Sequence, residues 1–365
     1  MSNLILAINP GSTSTKVSLY NGLEEVASRN ISHSAEELSK YFSVIDQFEF
    51  RLGKIKEFIV SNNIDTTTLA AIVGRGGFLR PIISGTYLVD EEMLQDLKSC
   101  RYGSHASNLG ALLANSLAKE ANCAAFIVDP IVVDELDPLA RITGHPDLQK
   151  RSVFHALNQK AVAKRFAQSK KMLYEDMNLI VAHLGGGISV GCHRRGRVIE
   201  VNNAVDGAGP FSPERSGTLP AGQFANNIAT RNLSDDQIAK MLAGRGGLVA
   251  HLGTNDAREV ERRITAGDNQ AKLVYDAMIY NVARYIAAAA VAVQGKVDYI
   301  LLTGGLAYSK YLTEKLTDYV SFIAPVQILP GEDELRALAE GALRVISGQE
   351  KAKQYGSITS KKDLH

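Results

Sequence analysis

The residues best placed to do chemistry lie in short, glycine-rich stretches. Asn9-Pro-Gly-Ser-Thr-Ser-Thr-Lys16 sets a glycine and a run of small hydroxyl side chains ahead of a lysine. Backbone N–H groups in such a stretch can approach a phosphate closely, and Lys16 adds a cation for it. Asn9, Ser12, Ser14 and Lys16 are therefore candidate phosphate ligands, with an incidental polar turn as the alternative. The glycine spacing differs from G-x-x-x-x-G-K-[ST], and an alternating strand pattern follows instead of a helix, so the stretch reads as a phosphate loop at a hairpin bend. His183-Leu-Gly-Gly-Gly187 ends a second apolar run. Consecutive glycines cost backbone entropy, which points to a close-approach surface, so Gly185, Gly186 and Gly187 are candidates for a second phosphate contact. His183 is either a participant there or a satisfied polar side chain. Thr303-Gly304-Gly305 closes a third run ahead of a helical pattern, which suits an α-phosphate or an adenosine.

These segments need strands to carry them. Leu4–Ile8 reads as a buried strand, Val17 and Leu19 alternate with polar neighbours, and Asn21-Gly22 is a hairpin turn before a third strand to about Ile31. The second half repeats the layout: a strand at 178–182, the glycine turn, an alternating strand through Ile188, Val190 and Cys192, the turn Arg195-Gly196, then Val198–Val201. Asn3, Leu4, Ile5, Ala7 and Gly11 match Asn178, Leu179, Ile180, Ala182 and Gly186 at one constant offset, which argues for internal duplication. Further strands are predicted at 70–73, 124–128, 299–302 and 326–329. Helices are predicted within 35–61, near 90–99 and 105–120, over 152–168 and from about 332. Residues 350–365 are polar and lysine-rich and are expected to form a surface tail.

The bulk composition narrows the function classes. A chain of 365 residues with 45% hydrophobic and 22% charged residues has enough apolar material for two globular domains. A net charge of +1 and no long basic run argue against a nucleic-acid partner. Cys100, Cys123 and Cys192 are odd in number and far apart, so neither a disulfide framework nor a zinc site is expected, and a reducing cytoplasm fits. The N-terminus lacks a basic n-region and a full h-region, so no signal peptide is expected. The most apolar stretch, 285–293, is too short to span a bilayer.

Taken in order, Asn9–Lys16, Arg75 with its glycines, Ser152-Val-Phe154-His155, His183–Gly187, Arg215-Ser-Gly217 and Thr303–Gly305 resemble the acetate kinases. The segments Asp129-Pro-Ile-Val-Val-Asp-Glu-Leu136 and Gly207–Pro220 are closer to the butyrate and branched-chain fatty acid kinases. The resemblance runs from residue 4 to about 345. It implies two duplicated actin-like (ribonuclease H-like) α/β domains with an ATP cleft between them. The first would cover 1–151, completed by a C-terminal helix at 335–350, and the second 152–334. The implied reaction is ATP plus a short-chain carboxylate giving ADP and an acyl phosphate, with butyrate foremost and isobutyrate, acetate or propionate as alternatives. A sugar kinase or a non-catalytic actin-like ATPase is a more distant alternative.

By the same resemblance Arg75 and Arg215 would hold the carboxylate and the phosphoryl group, and His183 would stabilise the group in transfer. Planar guanidinium groups can bridge two anions that must meet, although salt bridges are what most arginines make. Asp129, Asp333 and Glu334 would lie near Mg²⁺, which takes one or two carboxylates beside phosphate oxygens. Asp129 also suits a helix cap, and Asp333 and Glu334 suit a first helical turn. Gly77, His105 and Phe154 would border the acid, His105 equally suiting a helix start. Gly77 in place of a valine is expected to leave room for a longer acyl chain. The resemblance further implies a homo-oligomer.

Overall fold

The structure, a computed structural model, describes residues 3–356. The chain forms two units. The first is built from both chain ends, up to Asp134 and again from Asp333, and the second spans Glu135–Glu332. The expected boundary after residue 151 therefore lies earlier. Glu135 accepts hydrogen bonds from Lys160 Nζ (2.6 Å) and from the Val198 amide (2.9 Å), and the Asp137 amide donates to Ile199 O (3.0 Å). These bonds bring the chain into the second unit well before residue 151.

In the first unit, β1 (Leu4–Pro10), β2 (Ser14–Asn21) and β3 (Glu24–Ser32) form an antiparallel meander. They are joined by β4 (Leu69–Arg75), β5 (Thr86–Leu88) and β6 (Ala124–Val128). The sheet runs Lys353–Gln354, β5, β6, β4, β1, β2, β3. β4 lies parallel to β1 and to β6. In the second unit, β7 (Asn178–Leu184), β8 (Ile188–Arg194) and β9 (Arg197–Val201) repeat the meander, and β10 (Tyr299–Thr303) and β11 (Val326–Ile328) add in parallel beside β7. The order β11, β10, β7, β8, β9 repeats β6, β4, β1, β2, β3, so the duplication read from the sequence is a duplication of sheet topology.

Burial on both faces explains the unbroken apolar runs. Leu179 and Val181 of β7 pack with Val162 and Phe166 of the helix Ala156–Ser169. Their alternates Ile180 and Ala182 pack with Tyr275 and Met278 of the helix Asn269–Ala290 and with Leu312 of the helix Lys310–Val320. The apolar stretch 285–293 is thus the end of a longer helix whose Ile286 and Ala289 belong to this core. In the first unit β4 meets the helix Asn108–Ala121 through two glycines. A Cβ on Gly74 would strike the Gly110 carbonyl, and one on Gly110 would strike the Arg75 carbonyl. Glycine costs about 0.5–1 kcal/mol in each element, and in return the strand end that carries Arg75 is seated directly on the helix.

The C-terminal helix Glu334–Ile346 packs on β1, β4 and β6. The segment after it corrects the expected tail. Lys353–Gln354 pairs in parallel with β5, and Tyr355 is fully buried. The Tyr355 hydroxyl donates to Asp96 Oδ2 (2.8 Å), and Arg80 lies 4.1 Å over its ring. Residues 357–365 of the expected tail lie outside the described residues.

Candidate active site

In the first unit the β1–β2 bend carries Asn9 to Lys16, with Asn9 opposite Lys16 and Gly11 N–H donating to Ser14 O (2.8 Å). Ser12 and Lys16 are exposed and Ser14 is half-buried. Beneath the bend lies Arg51, which the sequence reading missed. It is fully buried on the helix Phe48–Ser61. Its Nη1 donates to Gly11 O (2.9 Å), Ser14 O (2.9 Å) and Thr15 Oγ1 (3.0 Å), and its Nη2 to Ser12 O (3.3 Å). Gln47 Oε1 accepts from Nε (3.0 Å) and Nη2 (2.9 Å). The guanidinium gathers the loop's carbonyl oxygens on one side and is bonded only to neutral oxygens. Burial lowers its pKa.

Arg75 ends β4, half-buried. Its Nη1 donates to Glu334 Oε2 (2.8 Å), and Asn9 Nδ2 donates to the same oxygen (2.5 Å). Glu334 therefore holds Arg75 beside the β1–β2 bend. Asp129 stands in the left-handed region (φ 37°), a costly place for a residue other than glycine. It is locked there by a reciprocal pair: Gly85 N–H donates to Asp129 Oδ1 (2.7 Å), and Asp129 N–H to Gly85 O (3.1 Å). Asp333 precedes the C-terminal helix yet makes no side-chain cap bond, forgoing about 1 kcal/mol.

Gly77 does not border open space. A Cβ there would lie 2.5 Å from Asn108 Cα and closer still to Asn108 Oδ1. The volume a valine would need is filled by the start of the helix Asn108–Ala121, so Gly77 is a packing glycine. The nearby apolar side chain with exposed surface is Phe78, edge-on to His105 at 6.2 Å between centroids. His105 is exposed, and its Nδ1 accepts from the Ser107 amide (3.1 Å).

In the second unit, His183 is the penultimate residue of β7 and Gly185–Gly187 turn the chain into β8. The loop carrying Arg215 folds onto that turn. Ser212 Oγ donates to Gly186 O (2.5 Å), and a Cβ on Gly187 would lie 2.5 Å from Arg215 Cζ. Arg215 Nη1 also donates to Ala204 O, and burial lowers its pKa. His183 Nδ1 meets Asn158 Oδ1 (2.8 Å), and its Nε2 lies 3.3 Å from Glu332. His155 stacks on His183 with ring centroids 3.8 Å apart. Gly304 and Gly331 exchange backbone hydrogen bonds (3.1 Å each), and Thr303 Oγ1 donates to Gly331 O (3.2 Å), which brings Thr303–Gly305 beside Glu332. Phe154 is buried. The structure thus gathers His183, Gly185–Gly187, Arg215 and Thr303–Gly305 in one unit, and Asn9–Lys16, Arg75, Asp129, Asp333 and Glu334 in the other. His155, Asn158 and Glu332 join the second set and Arg51 the first.

Asp129 and Asp333 are the carboxylates of the first unit that could hold a Mg²⁺ ion. Asp129 offers a hard oxygen held in place by backbone, and Asp333 has a carboxylate without a helix-capping bond. Glu334 fits less well, its Oε2 being shared by Arg75 and Asn9. Among the described residues no three His, Cys, Asp or Glu side chains converge as a metal cage. A Mg²⁺ completed by phosphate oxygens needs none.

A sequence profile described as the acetokinase family matches residues 146–326. The chain is 52% identical to butyrate kinase 2 of Clostridium acetobutylicum over 351 residues, covering 96% of this chain and 99% of that protein. It is 50% identical to butyrate kinase 1 of the same organism, with the same coverage. The crystal structure of Porphyromonas gingivalis acetate kinase superposes with a TM-score of 0.72 at 18% identity, covering 93% of this chain and 98% of that one, which establishes the fold of two actin-like α/β domains. The chain belongs to the acetokinase family and stands there with the butyrate kinases.

Proposed function

We propose that this protein transfers the γ-phosphoryl group of ATP to the carboxylate of a short-chain fatty acid, butyrate foremost. The full-length match to two butyrate kinases carries the reading. A carboxylate oxygen attacks the γ-phosphorus, the bond to the β-phosphate oxygen breaks, and ADP leaves with that electron pair. The acid is already an anion, so no base is required. The reaction needs positioning and positive charge, as phosphoryl transfers do. Arg75 and Arg215 supply that charge, the first held by Glu334 at the end of β4 and the second folded against Gly187. The N–H groups of Ser12 and Thr13 in the β1–β2 bend and of Gly186 in the second turn bind phosphates, with Lys16 beside the first, and Thr303–Gly305 bind the nucleotide. Mg²⁺, held by Asp129 and Asp333, would neutralise phosphate charge when bound.

Phe78 and His105, in place of Gly77, border the alkyl chain in this reading. Each methylene buried against them is worth about 0.8 kcal/mol, so butyrate exceeds acetate by about 1.6 kcal/mol, roughly fifteen-fold in kcat/KM. Hydroxylamine trapping of the acyl phosphate across acetate to hexanoate checks both points. Absence of hydroxamate with every acid overturns the carboxylate kinase. Acetate as best substrate overturns only the chain-length preference, in favour of the acetate or propionate alternative.

A homo-oligomer in the cytoplasm completes the proposal. Leu273, Tyr280, Tyr319 and Phe322 are exposed, with Tyr280 and Tyr319 in edge contact at 5.7 Å. A second copy of this chain would cover them. Sedimentation equilibrium at micromolar concentration should give a dimer or larger, and a monomer there rules the oligomer out.

A further inference from the structure

A buried polar chain crosses the second unit behind His155. Ser189, Gly191 and His193 alternate along β8 and so lie on one face of the sheet. All three are buried, and so is Gln159, which reaches onto this face from the helix Ala156–Ser169. Gly191 makes the room: a Cβ there would lie 2.6 Å from Gln159 Oε1. A glycine in mid-strand weakens the strand unless something must approach it closely.

The hydrogen bonds along this chain have one consistent direction. Gln159 Nε2 lies 3.1 Å from Ser189 O, a carbonyl that can only accept, so the amide nitrogen faces β8 there. Gln159 Oε1 therefore faces His193 Nε2 (3.0 Å), and that nitrogen carries the proton. His193 is neutral, its pKa pushed down to about 3 by burial first and the Lys160 ammonium second. Its bare Nδ1 accepts from the Tyr174 hydroxyl (2.7 Å). At the other end Gln159 Nε2 also donates to Ser189 Oγ (2.8 Å), leaving the Ser189 hydroxyl proton for His155 Nδ1 (2.9 Å). The same logic places a proton on His183 Nδ1. Asn158 Nδ2 donates to Gly331 O (3.4 Å), so Asn158 Oδ1 accepts from His183 Nδ1–H (2.8 Å).

We propose that the relay Tyr174–His193–Gln159–Ser189 fixes His155 as an imidazole protonated on Nε2, stacked on a His183 protonated on Nδ1, and that Ser189, Gln159 and His193 are positioning residues for the transfer. The kinetic part rests on the carboxylate kinase reading. The tautomer part does not. The relay puts the His155 proton on Nε2, the ring nitrogen away from Ser189. A donor there suits phosphoryl oxygens, which are acceptors only.

The test is ¹⁵N-histidine NMR of the full chain, with His155 and His183 assigned by His→Gln variants. The wild type should show pyrrole-type Nε2 and pyridine-type Nδ1 at His155, and a protonated Nδ1 at His183, whose Nε2 faces the Glu332 carboxylate. Ser189→Ala removes the last link. Gly191→Ala displaces Gln159 without touching His155. Both should replace the single His155 tautomer by an averaged pair of signals, and both should lower kcat about tenfold or more while KM for ATP and acid stays within about twofold. A His155 proton on Nδ1 in the wild type, or an unchanged His155 signature in Ser189→Ala, overturns the proposal. If Gly191→Ala fails to fold, Ser189→Ala alone decides. A wild type that forms no acyl phosphate overturns the kinase reading and leaves the tautomer assignment to be judged on its own spectra.

Discussion

Arg75→Ala and Arg215→Ala should each lower kcat about 10²-fold or more, the loss seen when a preorganised donor is taken from a developing charge. The two variants should differ in stability. Arg75 pairs with Glu334 at a half-buried site, and its removal leaves that carboxylate with Asn9 alone, so a loss of about 1–3 kcal/mol is expected. Arg215 also ties its loop to Ala204 O and covers Gly187, so its removal loosens the second unit's turn as well. Arg75→Lys keeps the charge but not the planar fork, and should recover less than a tenth of the lost rate. Steady-state kinetics beside thermal unfolding separates the two effects. Near-normal turnover in either alanine variant removes that arginine from the chemistry.

The second large effect is expected at Arg51. A fully buried guanidinium whose partners are all neutral oxygens is costly, because burial penalises charge that no counter-ion balances. Its place beneath the Gly11–Thr15 bend suggests that the missing counter-charge is the nucleotide's phosphate. At a separation of about 8 Å and an effective dielectric of ~20, one phosphate charge gains about 2 kcal/mol from it. Arg51→Met should then weaken ATP binding roughly thirty-fold. It should also cost stability, since several carbonyl groups lose their donor at once. Arg51→Lys restores charge without the fork and should recover part of the binding. Calorimetric titration of the folded variants with an ATP analogue measures this, and wild-type affinity in Arg51→Met would show that the arginine only shapes the loop.

Much of this was legible in the chain itself. The strand–glycine–strand openings of both halves stand out because strands buried on both faces must be apolar throughout, and their turns must admit a close approach. Arg51 left a trace that was passed over. It falls at helical spacing with Leu52, Ile55 and Phe58, on the stripe that faces the core, where an arginine needs a reason. The alternation Ser189, Gly191, His193 on a buried strand was a similar trace. The pairing of Arg75 with Glu334 was not legible, because it joins positions distant in the chain and depends on where the C-terminal helix returns. Nor was the packing role of Gly77, since a glycine beside empty space and one pressed against a helix are written with the same letter.

The return of the chain's end to its first sheet has a consequence for synthesis. The opening meander leaves the ribosome before the stretch Glu135–Glu332, yet its helix Glu334–Ile346 and edge segment Lys353–Gln354 are made after that stretch. The intervening Glu135–Glu332 is one uninterrupted stretch and depends on no later residue for its strands. At about 5–20 residues per second, its translation leaves the opening sheet without its covering helix for roughly 10–40 s. The unit whose strands emerge earlier is completed later, and its apolar face must wait for a cover encoded beyond the whole of the other unit.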